Sequence, residues 1–149
     1  MNSICFINGT FPPYIRGGAE NYIIAVAHEL QRRGYDVSVL TTKPLRGKSS
    51  LEIERKIVEE IPVYRFAPVN IASRSTFPDK DTLTQSIWRI ADAVNLQSAK
   101  KVKQVLEKLE PDIVHTNNLM GISTISTDPI SRFPAKHVHT LHDYSLLCP

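Results

Sequence analysis

The chain opens on a short, nearly continuous apolar run, Ser3-Ile4-Cys5-Phe6-Ile7, the pattern of a strand buried on both faces of a parallel sheet. A loop containing Pro12, Pro13, Gly17 and Gly18 follows. After it, Tyr22, Ile23, Val26, Ala27 and Leu30 recur at helical spacing and predict an amphipathic helix over residues 18–33. Gly34 is its C-terminal stop. Val37-Ser38-Val39-Leu40 reads as a second strand, so the segment makes one βαβ unit.

Residues 42–50 are polar and carry Pro44 and Gly47, which predicts a loop. From Glu52 to Phe66 the apolar positions alternate instead: Ile53 and Ile57, then Val63, on either side of Glu59-Glu60-Ile61-Pro62. That pattern predicts two short strands about a turn, one of them an edge. From Thr82 to Leu109 a helical period returns through Ile87, Ile90, Ala91, Val94, Val102, Val105 and Leu106, with Lys100, Lys101, Lys103 and Lys108 on the wetter side. Pro111 marks where that helix has ended. Asp112 to Thr116 reads as a strand, Leu119 to Phe133 as a weaker helix that Pro129 ends or kinks, and Val138-Thr140-Leu141 as a further strand. Strands and helices in alternation predict an α/β fold, a doubly wound, mostly parallel sheet with flanking helices, whose ligands sit outside the carboxyl ends of the strands.

Composition narrows the class. The chain has 149 residues, the size of one globular domain. Apolar residues at 42% and charged residues at 22% exclude disorder. Eighteen Lys and Arg against fifteen Asp and Glu give +3, too mild an excess for a nucleic-acid footprint. Cys5 and Cys148 are too few for a disulfide framework or a four-thiolate zinc site, which makes a reducing compartment the default. The apolar run Ile4 to Ile7 is far shorter than a signal-peptide core or a membrane span. A cytoplasmic protein is expected.

Two segments carry candidate chemistry. The first runs from Asn8 to Glu20 between the first strand and the first helix. Adjacent glycines, Gly17 and Gly18, let backbone N–H groups approach an anion at a helix start, where the dipole adds positive potential. A mere tight turn explains the pair equally well. No G-x-G-x-x-G follows the first strand, which counts against a dehydrogenase-type dinucleotide site. Gly47-Lys48-Ser49 imitates the end of a P-loop, but Thr42 occupies the earlier glycine position.

The second segment is His137-Val138-His139-Thr140-Leu141-His142-Asp143. On a strand His137 and His139 share a face, while alternation turns His142 away from them. Three histidines and an acid could bind zinc, yet no second cluster closes the shell. His142 and Asp143 read better as a pair at the mouth of the sheet, where an imidazole and a carboxylate can bind sugar hydroxyls or phosphate. A satisfied structural histidine is the alternative. His115, followed by Thr116, Asn117 and Asn118, points polar groups to the same rim. The lysines from 100 to 108 read as a solvated helix face that could also touch an anionic membrane. Trp88 either packs on a neighbour or stacks on a sugar ring. His28 reads as helix surface.

These residues form an ordered set: Phe11-Pro12-Pro13; Gly17-Gly18-Ala19-Glu20; Arg33-Gly34-Tyr35-Asp36-Val37; Ile61 to Phe66; Pro111 to His115; and His139 to Tyr144 with Leu147-Cys148-Pro149. The set resembles, from end to end, the N-terminal domain of family 4 retaining glycosyltransferases of the GT-B fold. The resemblance implies two Rossmann-like domains facing across a cleft, of which residues 1–149 are the first, acceptor-side one. The C-terminal, donor-binding domain would lie outside the chain. It further implies that Gly17 and Gly18 contact the donor diphosphate through their backbone and that His142 lies by the donor sugar at the reacting centre. Asp143 would orient that histidine or bind acceptor, Asn118 would face the acceptor, and Glu20 completes the glycine motif without an assured ligand.

The implied partners are a nucleotide diphosphate sugar, an acceptor that is a glycan, a lipid-linked molecule or a small molecule, and the chain's own second domain. No nucleic acid and no metal are expected, because helix N-termini and basic side chains of the partner domain can neutralise the leaving diphosphate. Contact with the inner face of the membrane stays open. Homologous domains continue past the His-Asp strand, so the chain reads as a fragment that would be inactive alone. Two other readings stand beside this one: a non-catalytic nucleotide- or sugar-binding module built on the same loop, and a metal-dependent hydrolase built on His137, His139 and His142.

Overall fold

The computed structural model of the chain describes residues 2–14, 17–45, 52–69 and 94–142. Trp88, the stretch from Thr82 to Ala93, Gly47-Lys48-Ser49, Asp143 and Cys148 lie outside them. In chain order the elements are β1 (Ser3–Ile7), α1 (Gly18–Arg32), β2 (Asp36–Thr42), β3 (Glu54–Val58), β4 (Ile61–Phe66), α2 (Leu96–Leu109), β5 (Ile113–Thr116), a 3-10 turn (Thr124–Ser126), α3 (Thr127–Ser131) and β6 (Lys136–His139).

The six described strands form one sheet in the order β3-β4-β2-β1-β5-β6. Neighbours are parallel throughout except for β3, which pairs antiparallel with β4. The chain winds outward from β1 in one direction through β2 and β4, then returns to the other side of β1 for β5 and β6. The reversal lies between β1 and β5, and in open sheets of this kind the loops leaving such a pair diverge and open a crevice.

Strand alternation sorts the apolar side chains into two cores. Ile4, Phe6, Val37, Val39, Ile61 and Val63 pack with Ile23, Ile24 and Ala27 of α1. Cys5, Ile7, Leu40, Tyr64, Phe66 and Val114 pack with Val102, Val105 and Leu106 of α2 on the opposite face. The near-continuous hydrophobicity of β1 follows from being covered on both faces. Burial pushes the Cys5 thiol up to about 12, with a hydrogen bond to Ser38 opposing that rise.

Element ends have local causes. Gly34 sits at φ 85°, a left-handed position just past α1 that glycine adopts without strain. Glu59 and Glu60 turn the β3–β4 hairpin at φ 49° and 62°, so the turn is two residues and Ile61-Pro62 already belongs to β4. The turn is held by α1: His28 Nε2 lies 2.7 Å from the Glu59 carbonyl and Gln31 donates to that of Glu60 at 3.3 Å. His28 therefore does more than face solvent.

Three further expectations change. The helical period from Thr82 to Leu109 does not run through as one helix, because Asn95 caps α2 by accepting from the Ser98 N–H at 3.1 Å. Val94 therefore precedes the helix. The stretch Leu119 to Phe133 is loop, 3-10 turn and the five-residue α3 rather than one helix. Gly121 and Ser123 take positive φ and break the period, while Pro129 sits within the first turn of α3, where its missing N–H is not needed. The last strand also starts earlier than expected, at Lys136, with Thr140 and Leu141 beyond its end.

Candidate functional site

The loop from β1 to α1 is built around Glu20. Its side chain is buried, and Oε1 accepts from Thr10 Oγ1 at 2.5 Å and Asn8 Nδ2 at 3.1 Å while Oε2 accepts from the Gly17 N–H at 2.9 Å. A carboxylate at the third helical position answering the N-cap amide is half of a capping box. Glycine has no side chain to supply the other half. Asn8 extends the network to the next loop: Nδ2 also donates to the Thr10 carbonyl at 2.7 Å, and Oδ1 accepts from the Asn118 N–H at 3.0 Å.

Gly9 brings the loops after β1 and β5 into backbone contact. Its N–H donates to the Asn118 carbonyl at 2.6 Å, and its carbonyl accepts from Thr42 Oγ1 at 2.6 Å. A Cβ at this position would lie 1.9 Å from the Met120 carbonyl oxygen, so only glycine fits. Behind the same loop, the buried Arg65 donates from Nη2 to the Pro12 carbonyl, and its guanidinium lies 5.7 Å from the Tyr14 ring centroid. Burial lowers its pKa below the ordinary guanidinium range, and Tyr14 and Glu54 oppose the shift.

The glycine pair has a specific geometry. Gly17 is extended, and a Cβ there would come within 3.2 Å of Glu20 Oε2; at Gly18 a Cβ would meet nothing within 4 Å. Neither glycine answers to a left-handed backbone. What Gly18 provides is bare backbone at the first turn of α1, where N–H groups have no partner within the helix. The Gly17 amide is engaged by Glu20 and that of Asn21 by the Gly17 carbonyl, so the amides of Gly18, Ala19 and Glu20 are the ones the helix leaves for an anion.

His142 lies against α1 one turn past this start. Its ring meets the ring of Tyr22, one turn into α1, with centroids 5.2 Å apart, and its Nε2 lies 2.8 Å from Asn117 Oδ1. Asn117 is buried and follows β5, its N–H donating to the Ile7 carbonyl at 2.9 Å. Elements from β1, β5 and β6 thus meet beside the point where strand order reverses. Asn118 belongs to the same rim, with Oδ1 accepting from the Met120 N–H at 3.0 Å. Asp143 lies outside the described residues.

The other histidines divide as alternation requires. On one face Thr116 Oγ1 lies 2.9 Å from His137 Nε2 and 2.8 Å from His139 Nδ1. On the other, His115 Nε2 lies 2.8 Å from Thr140 Oγ1, and its ring packs against Phe6 at 4.8 Å. Burial lowers the pKa of His115, and His139, His142 and His137 add to that shift. Among the described residues, no three His, Cys, Asp or Glu side chains come together as a metal site. Nor, among the described residues, is any helix long and apolar enough to cross a membrane.

Tyr22 and Asn117 matter more than their letters suggested. Tyr22 reads as one apolar helix position among several, and Asn117 as one of two equivalent rim residues. Counting alternation forward from Ile113 separates the two asparagines, because Asn117 shares the face of Ile113 and His115.

The chain matches Glycosyltransferase Family 4 over residues 16–147. It is 28% identical over 147 residues to an uncharacterized 42.6 kDa protein in the cps region of Klebsiella pneumoniae, covering 99% of this chain and 38% of that protein. The chain therefore spans less than half the length of this relative. Among solved structures it resembles sucrose-phosphate synthase from Thermosynechococcus elongatus, with a TM-score of 0.60 and 14% identity over 99% of this chain and 34% of that one. It also resembles the catalytic domain of starch synthase IV from Arabidopsis thaliana, with a TM-score of 0.56 and 15% identity over 96% of this chain and 34% of that one. At those identities the likeness is one of fold.

Proposed function

The chain belongs to Glycosyltransferase Family 4, and from that premise we propose that it forms the acceptor side of a retaining glycosyltransferase. The enzyme moves a sugar from a nucleotide diphosphate sugar to a glycan, lipid-linked or small-molecule acceptor. A second domain supplies most of the donor site. The observation that supports this reading is the contact of His142 with Tyr22, one turn beyond Gly18, which brings an imidazole to the first turns of the helix that begins at that glycine.

Chemically, the pieces suit a leaving diphosphate. The bare backbone at Gly18 admits close approach, and unpartnered helix N–H groups stabilise negative charge as it develops on the departing oxygen. No metal is required where such amides, with basic side chains of the second domain, do that work. His142 offers a hydrogen-bonding group to the sugar, and Asn118 and Asp143 offer an amide and a carboxylate to the acceptor. Glu20 acts through the loop by holding Asn8, Thr10 and Gly17 in place. The protein works in the cytoplasm, where nucleotide sugars are the substrates at hand, with contact at the inner membrane face if the acceptor is lipid-linked.

The test is transfer by the full-length protein. Incubated with a panel of nucleotide diphosphate sugars and acceptors, it is expected to release nucleotide diphosphate only when a suitable acceptor is present, and to yield a product whose anomeric configuration matches the donor. An inverted product contradicts retention. Tight nucleotide-sugar binding by this chain alone, without turnover in the full-length protein, favours a binding module instead.

A further inference from the structure

The bond between Asn117 and His142 constrains more than the position of the ring. Asn117 Nδ2 donates to the His115 carbonyl at 3.3 Å. A carbonyl can only accept, so the amide group must face His115, and the oxygen is what the amide turns toward His142. That oxygen lies 2.8 Å from His142 Nε2. An acceptor facing a ring nitrogen requires a proton on that nitrogen. In the neutral ring, Nδ1 then carries the lone pair, and none of the described residues bonds to it. The Tyr22 ring, at 67° to that of His142, sets the plane in which the lone pair lies.

We propose that Asn117 is a positioning residue: it holds the His142 imidazole in the Nε2–H tautomer, so that the group presented to the cleft is the Nδ1 lone pair, an acceptor for a sugar hydroxyl. Only the last clause rests on the transferase reading. Asn117 is suited to the task because it is buried and tied at both ends, by its backbone N–H to Ile7 and by its amide to His115 and His142. A ring held in one tautomer by an immobile neighbour is the arrangement that orients functional histidines generally.

The tautomer is read directly from long-range proton–nitrogen correlations of the isotope-labelled chain, above the titration of the ring and without any sugar. His142 is identified by the signals lost in His142→Gln. The expected pattern is a pyrrole-like Nε2 with a slowly exchanging proton and a pyridine-like Nδ1. Asn117→Ala should lose the slowly exchanging Nε2–H and bring both nitrogens toward the averaged positions of free imidazole. Asn117→Asp, which keeps an acceptor facing Nε2, should retain the Nε2–H pattern.

Should Asn117→Ala fail to fold, the wild-type pattern and that of Asn117→Asp decide the matter. A proton on Nδ1 in the wild type overturns the proposal. So do ring nitrogens that are identical in the wild type and in a folded Asn117→Ala. Because the measurement uses no substrate, the expected tautomer in a protein that transfers no sugar would uphold this assignment while refuting the transferase reading.

Discussion

The ring of Tyr22 meets the ring of His142 edge-on, with centroids 5.2 Å apart and planes at 67°. This contact joins the first helix to the segment after β6, across the width of β1 and β5. It places the helix start at Gly18 and the imidazole of His142 on one rim of the sheet. Edge-on aromatic pairs add roughly 0.5–1.5 kcal/mol beyond their buried area, enough to bias a ring's orientation but little beside the whole fold.

Gly9→Ala should be among the most destabilising single-methyl substitutions in the chain. The added carbon would lie 1.9 Å from the Met120 carbonyl oxygen, and backbone cannot rotate away as a side chain can. Overpacking costs about 1–3 kcal/mol, and here the bonds of Gly9 to Asn118 and Thr42 are also at stake. The urea midpoint should fall with an unchanged slope. An unaltered midpoint would show that the two loops are not pressed together as described.

Glu20→Ala should cost about 1–3 kcal/mol, because Asn8, Thr10 and the Gly17 amide would lose a common acceptor. Glu20→Gln should cost less, since one oxygen remains. Thermal unfolding of the two variants checks the order. Equal losses would mean that the oxygen Gln retains does nothing for the loop.

Stability should decline in mild acid through His115 and His137. Burial first, then neighbouring histidines, hold His115 below its ordinary 6.5, and burial followed by His139 lowers His137. Both groups therefore bind protons more readily unfolded than folded. Their contribution is present above about 6.5 and is lost as pH falls through the lowered folded values. Urea midpoints at about pH 7.5 and about pH 5 should differ in that direction, and His115→Gln should narrow the gap. A gap as wide in the variant would assign the acid sensitivity to other groups.

Cys5 should resist alkylation in the native chain. Its thiol is fully buried and pushed up to about 12, and the thiolate is the reactive form. Labelling of Cys5, followed by mass spectrometry, should appear only at denaturant concentrations that unfold the sheet. Rapid labelling under native conditions would place Cys5 outside the core between β1 and α2.

Much of this was legible from the letters because the sheet's needs are local. A strand covered on both faces must be apolar throughout, so β1 stands out in Ile4 to Ile7, and α1 shows its buried stripe in Ile23 and Ala27. Alternation alone separated His142 from His137 and His139. What escaped depended on contacts distant in sequence. Nothing near Gly9 announces the Met120 carbonyl, and nothing near Asn117 announces a ring beyond β6. Glu20 belongs to the glycine motif, but its three partners emerge only when the loop closes around it. The helical reading of Leu119 to Phe133 failed because Gly121 and Ser123 adopt left-handed backbone that apolar spacing does not encode.

The central claim is that Gly18 and His142 serve one sugar-transfer site, and the most direct measurement is the turnover of full-length His142→Ala with its sugar nucleotide and acceptor. If the fold is intact by its unfolding profile, the account predicts a fall in kcat on the order of 10²-fold or more, as when a preorganised group is removed from a reacting centre. Turnover equal to that of the unaltered protein would contradict it.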